Sequence, residues 1–166
     1  MKPLFLAIAS VLASHSTFAH ELPDTELAWR LGSGTKIVFL KDVILPANIS
    51  TVTFCSGRFT TSDDPCEAHE EDVCQLEFVP SIETQIIEAE SSFTLTKAER
   101  GYSPRLSVLN FDHLSVKRVV CFQRVQNEPW YQAATIGGVK SALGEHAKIC
   151  QSAPRPVGVL SGCEAK

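Results

Sequence analysis

Six cysteines, five histidines and one dense run of carboxylates are the residues in this 166-residue chain whose types could do chemistry. The cysteines are Cys55, Cys66, Cys74, Cys121, Cys150 and Cys163, with no C-x-x-C pair among them. Zinc ribbons and thioredoxin-type redox pairs place two thiolates a few residues apart, so this spacing supports neither. An even set of widely spaced cysteines points instead to disulfides formed in an oxidising compartment. Many pairings are open to six cysteines. Placement favours Cys55–Cys66, closing the loop from Gly57 to Pro65, and Cys74–Cys121, joining two strong strands across the core. It also favours Cys150–Cys163, tying down a proline-rich tail that would otherwise fray.

Two groups of residues have the chemistry to hold a metal. The stretch from Asp63 to Asp72 carries six carboxylates and His69. Hard oxygen ligands such as Asp63, Asp64 and Glu67 suit calcium. The glycine of an EF-hand loop is missing, and a solvated, self-repelling loop is the plainer reading. His20 is the second group. Cleavage after Ala19 would leave it as the N-terminus, where its α-amino group and imidazole chelate copper together with another histidine: His69, His113 or His146. At that one position the chain resembles copper histidine-brace proteins, and nowhere else.

Other constellations are weaker. No Gly-x-Ser-x-Gly elbow accompanies the serines and histidines. Thr135 to Lys140 lacks the spacing of a phosphate loop. Glu83, Glu88, Glu90 and Glu99 could supply a carboxylate pair for glycoside hydrolysis, although solvent-facing positions explain them more simply. Lys97, Arg100, Arg105, Lys117, Arg118 and Arg124 make the middle of the chain locally basic. Trp29, Trp130 and Tyr131 could anchor a ligand, but large aromatics are more often core. Asn48-Ile49-Ser50 is a glycosylation sequon.

The elements that must position these residues are mostly strands. Met1-Lys2, the apolar run Leu4 to Leu12 and the small residues ending at Ala19 read as a secretory signal peptide over residues 1–19. That run falls short of the roughly 20 residues of a membrane span, and no second one follows. Residues 20–166 read as one β-rich domain in a secreted or periplasmic compartment, without a composition break. Alternating apolar and polar residues mark strands over 36–43, 50–55, 74–79, 84–89, 92–96, 105–111 and 114–122. Asp112-His113 reads as a two-residue hairpin turn. The apolar phase then slips near Lys117-Arg118, as a bulge would make it. The single helix predicted runs from a Thr135 cap to about Ala147, with Gly144 able to end it sooner.

About seven short antiparallel strands with one late helix fit a disulfide-stabilised sandwich or open barrel. A net charge of −4 gives no basic face for nucleic acid. The sequence therefore reads as a non-enzymatic binding domain for a protein or small molecule. A small copper or calcium protein is the alternative.

Overall fold

A computed structural model describes residues 21–61, 72–102, 105–125 and 131–151. Within them the chain forms a curled half-barrel of antiparallel strands, a separate two-stranded ribbon and one helix. The strands are β1 (Lys36–Phe39), β2 (Val43–Leu45), β3 (Thr51–Cys55), β4 (Arg58–Thr60), β5 (Asp72–Phe78), β6 (Gln85–Ile87), β7 (Ser92–Arg100), β8 (Ser107–Phe111), β9 (Val116–Arg124), β10 (Tyr131–Ala133) and β11 (Ala147–Cys150). The helix α1 is Ile136–Leu143. The large sheet runs β11-β1-β7-β8-β9-β5-β3-β4, with β10 also paired to β9. The ribbon is β2-β6. This is the open-barrel form of the expected architecture rather than the sandwich.

Alternation explains why these segments are strands and which way they face. On β5, Cys74, Leu76 and Phe78 are buried on the core side, while Gln75 and Glu77 lie between them on the other. The partner strand β9 matches this with Val116, Val119 and Cys121. Pairing jumps from Glu77↔Arg118 to Phe78↔Val116, leaving Lys117 as the extra residue of a bulge, where the hydrophobic phase slips. A second jump, from Leu95↔Phe111 to Lys97↔Asn110, puts an extra Thr96 into β7. Two bulges in long central strands give the sheet its curl.

The helix closes the open side of the half-barrel, packing against β3, β5, β9 and β11. Thr135 caps it, its hydroxyl accepting from the Gly138 amide at 3.0 Å. The helix ends at Gly144, whose φ of +52° is open mainly to glycine. A Cβ at Gly144 would lie 2.4 Å from the Gly57 Cα, so the β3–β4 turn and the helix end meet backbone to backbone. The Gly57 amide donates to the Ala142 carbonyl across that contact.

Several expectations need correction. Among the described residues eleven strands stand where about seven were expected: β2 splits from β1, β4 and β10 have only three residues each and give almost no alternation signal, and β11 lies where the helix was expected to end. The predicted strand 36–43 is two strands separated by Leu40–Asp42. The helix stops at Leu143, and Ala147–Cys150 returns as strand β11 beside β1. The Asp112-His113 turn is a four-residue link over 112–115, the pair lacking the glycine that a two-residue hairpin turn favours. Cys74 and Cys121 are disulfide-bonded, but as directly opposed residues of neighbouring strands and not across the core. Cys55 and Cys150 each take part in a disulfide as well. Cys66 and Cys163 lie outside the described residues, as does the expected signal peptide over residues 1–19. No described helix is long and apolar enough to cross a membrane.

Candidate functional site

The ribbon β2-β6 sits at one end of the half-barrel, and a half-open cleft of about 320 Å³ runs beside it. Its floor is apolar, made by Leu45, Ile87, Phe93 and Val116, all buried. Its polar lining comes from Gln85, Ser91, Ser92, His113 and Ser115. Ligand sites usually join apolar surface to a few convergent polar groups; here the polar lining slightly exceeds the apolar floor, and the volume is at the small end of the range.

Local sequence builds each wall. β6 presents Gln85, Ile86 and Ile87 to the cleft, and it pairs only with β2 among the described residues. The start of β7 pairs with β1 through Ser92, Phe93 and Thr94 on one edge. On the opposite edge β8 pairing begins only at Leu95, so residues 92–94 have no strand there. Two strand edges without a strand partner among the described residues therefore flank the same cleft.

The third wall is the β8–β9 link. The His113 Nδ1 accepts from the amides of Ser115 (3.1 Å) and Val116 (3.2 Å). The ring stands edge-on to Phe93, with centroids 4.6 Å apart. With Nδ1 committed as an acceptor, the neutral imidazole carries its proton on Nε2 and offers a donor. A general base needs a free lone pair, so this ring is set up to hold a hydrogen-bond acceptor rather than to activate Ser91, Ser92 or Ser115.

Exposed apolar side chains gather here. Ile44 is 54% exposed and directly opposite Ile86, which is 59% exposed. Leu114, next to His113, is 97% exposed. Val79 is exposed too, and its amide donates to the Ser115 carbonyl. Burying such a pair removes about 25 cal/mol of unfavourable hydration per Å². Among the described residues nothing covers the outward isoleucines of the ribbon.

The other candidates fall elsewhere. Arg118 grips Glu77 bidentately (2.8 and 3.1 Å), and Asn110 bonds Glu99, forming a polar ladder across β5, β9, β8 and β7. Glu77 holds the Arg118 guanidinium above its ordinary value. Glu99 also pairs with Lys97, whose hydrogen bond holds its carboxyl below the ordinary value of 4.5. Two of the six residues of the basic middle, Lys97 and Arg118, are thus matched by carboxylates. Glu99 belongs to this ladder, whereas Glu83, Glu88 and Glu90 are near the cleft in sequence. Trp29 is half-buried beside the Arg30 guanidinium, and its Nε1 is buried without a hydrogen-bond partner. Tyr131 is exposed and stacks on Phe122 at 4.4 Å.

His146 is wedged against Phe54 and Phe59 at the seam between the two ends of the sheet. The structure thus separates His113 and His146 into different settings. No group of three His, Cys, Asp or Glu side chains gathers among the described residues. His20, Asp63, Asp64, Glu67, His69 and Trp130, which carry most of the copper, calcium and aromatic-anchor readings, lie outside the described residues.

Sequence reasoning singled out His113 as a metal ligand and as half of a hairpin turn, and passed over the isoleucines. The available signal was an apolar residue at the outward position of an alternating strand, as Ile44 is between buried Val43 and Leu45. Compared with known families, curated proteins and solved structures, the chain matches none.

Proposed function

We propose that this chain is an exported, non-enzymatic binding domain and that the cleft beside β6 is its ligand site. The observation carrying this reading is the coincidence of an apolar-floored cleft with the exposed Ile44, Ile86 and Leu114. Scattered single apolar residues on a surface need no explanation, but a facing pair of exposed isoleucines, one of them lining a cleft, does. The disulfide-linked frame supports export, since such bonds persist in oxidising compartments.

Titration with an environment-sensitive apolar dye tests the site. Dye fluorescence should rise with the native protein and fall at least several-fold in an Ile86→Ser/Leu114→Ser variant that keeps its melting temperature. Equal dye binding by both proteins would overturn the assignment. Intact mass of the exported protein tests the compartment: an N-terminus at His20 supports it, and a cell-associated chain retaining Met1 overturns it.

A further inference from the structure

We propose that the cleft takes an extended, cationic-apolar peptide segment, which adds as a strand to the open edge of β6. This rests on the reading of the cleft as the ligand site, and it names the ligand.

Three observations converge on it. First, β6 and residues 92–94 of β7 each have one edge without a strand partner among the described residues, and both line the cleft. An unpaired edge offers a row of backbone donors and acceptors, the template for adding an extended peptide. Second, a strand presents alternate side chains to opposite faces. A peptide there would bury every second residue on the Phe93–Val116 floor or against Ile86, which fits a ligand with apolar residues at alternate positions. His113, with its proton on Nε2, adds a donor for a peptide carbonyl.

Third, the rim is acidic. Within two residues of the lining positions stand four exposed carboxylates, Glu83, Glu88, Glu90 and Asp112, against two exposed cations, Lys117 and Arg118, the second of which is already paired with Glu77. Complementary charge steers encounter and selects partners. The same rim opposes a second copy of this chain, which would bring carboxylates against carboxylates.

The test uses the full folded domain and blocked hexapeptides, followed by amide chemical shifts and fluorescence anisotropy. An alternating lysine–valine peptide should shift the resonances of β6, His113 and Ser115. It should bind at least about tenfold tighter than the matching glutamate–valine peptide, a preference that weakens with salt. Methylating alternate peptide nitrogens, which removes donors from one edge, should cost about tenfold again. A Glu88→Lys/Glu90→Lys variant with native melting behaviour should erase the preference for lysine.

Equal binding of the two charged peptides, or no effect of methylation, overturns the peptide proposal while leaving the dye-binding site intact. Cleft shifts that grow with protein concentration alone overturn it in favour of a second copy. If neither dye nor peptide perturbs the cleft, both this inference and the binding-site reading fall.

Discussion

The β5–β9 slab and the β2–β6 ribbon use the same antiparallel pairing to opposite ends. In the slab, long strands are paired on both sides, a disulfide joins Cys74 to Cys121, and the polar face is knitted by Arg118, Glu77, Asn110 and Glu99. In the ribbon, three-residue strands leave one edge of β6 without a strand and turn Ile44 and Ile86 outward. A strand paired on both edges has its backbone groups satisfied and nothing to offer a partner. A two-stranded ribbon is marginal alone and keeps unspent backbone and apolar surface. Stability thus resides in the slab and, on the proposed function, recognition in the ribbon, and substitutions should divide accordingly.

The sharpest way to break that division is the slab disulfide. Replacing both Cys74 and Cys121 with alanine should lower unfolding free energy by roughly 4 kcal/mol, the chain-entropy value for a separation of 47 residues. Chemical denaturation measures this, and dye binding at the cleft should survive wherever the protein remains folded. Gly144→Ala comes next, at about 2–3 kcal/mol, because the added Cβ meets Gly57 and the backbone conformation suits glycine. A thermal melt unchanged by that substitution would show that the helix end does not brace the sheet. Thr135→Ala, which removes the helix cap, should cost about 1 kcal/mol by the same measurement.

Acid probes the polar ladder more gently. Glu99 is held below 4.5 by Lys97, and Glu145 likewise by Lys41. A carboxylate with a lowered folded value stabilises the fold above its unfolded value, and that contribution disappears as pH falls through the folded one. Melting temperature should therefore drop from about pH 6 to about pH 3, and the drop should be slightly smaller in Glu99→Gln. An equal or larger drop in the variant would remove Glu99 from the ladder's support. The smallest stability effect belongs to the ribbon. Ile44→Thr/Ile86→Thr should stay within about 0.5 kcal/mol of native, since both side chains are exposed and remain β-branched. A large loss would show that the ribbon face is structural after all.

Most of the slab was legible in the sequence, while the cleft was not. Cys74-Gln75-Leu76-Glu77-Phe78 alternates because one of its faces is buried, and the slip at Lys117 survives into the structure as a bulge. Three-residue strands cannot show a period, so β2 merged with β1 in the reading and β4 and β10 went unseen. Ala147–Cys150 was partly lost under a helical pattern that Gly144 cuts off, and only pairing with distant β1 makes it a strand. The cleft joins residues from 45 to 116, brought together by sheet register. No local spacing announces such a site. His113 illustrates the limit: its type drew attention, but its role follows from two backbone amides that only the loop's shape delivers.

The pairing of β1 with β11 also governs when the domain can exist. Ile37 lies opposite Ile149, and the Gln151 side chain clamps the Leu22 backbone through both of its amide atoms. A chain leaving the ribosome makes its first strand early and must wait for nearly the last described residue before that strand gains its outer neighbour. Because contacts of such sequence separation form slowly, completion of the sheet is late by construction. Until then β1 lacks its outer neighbour and keeps one edge open.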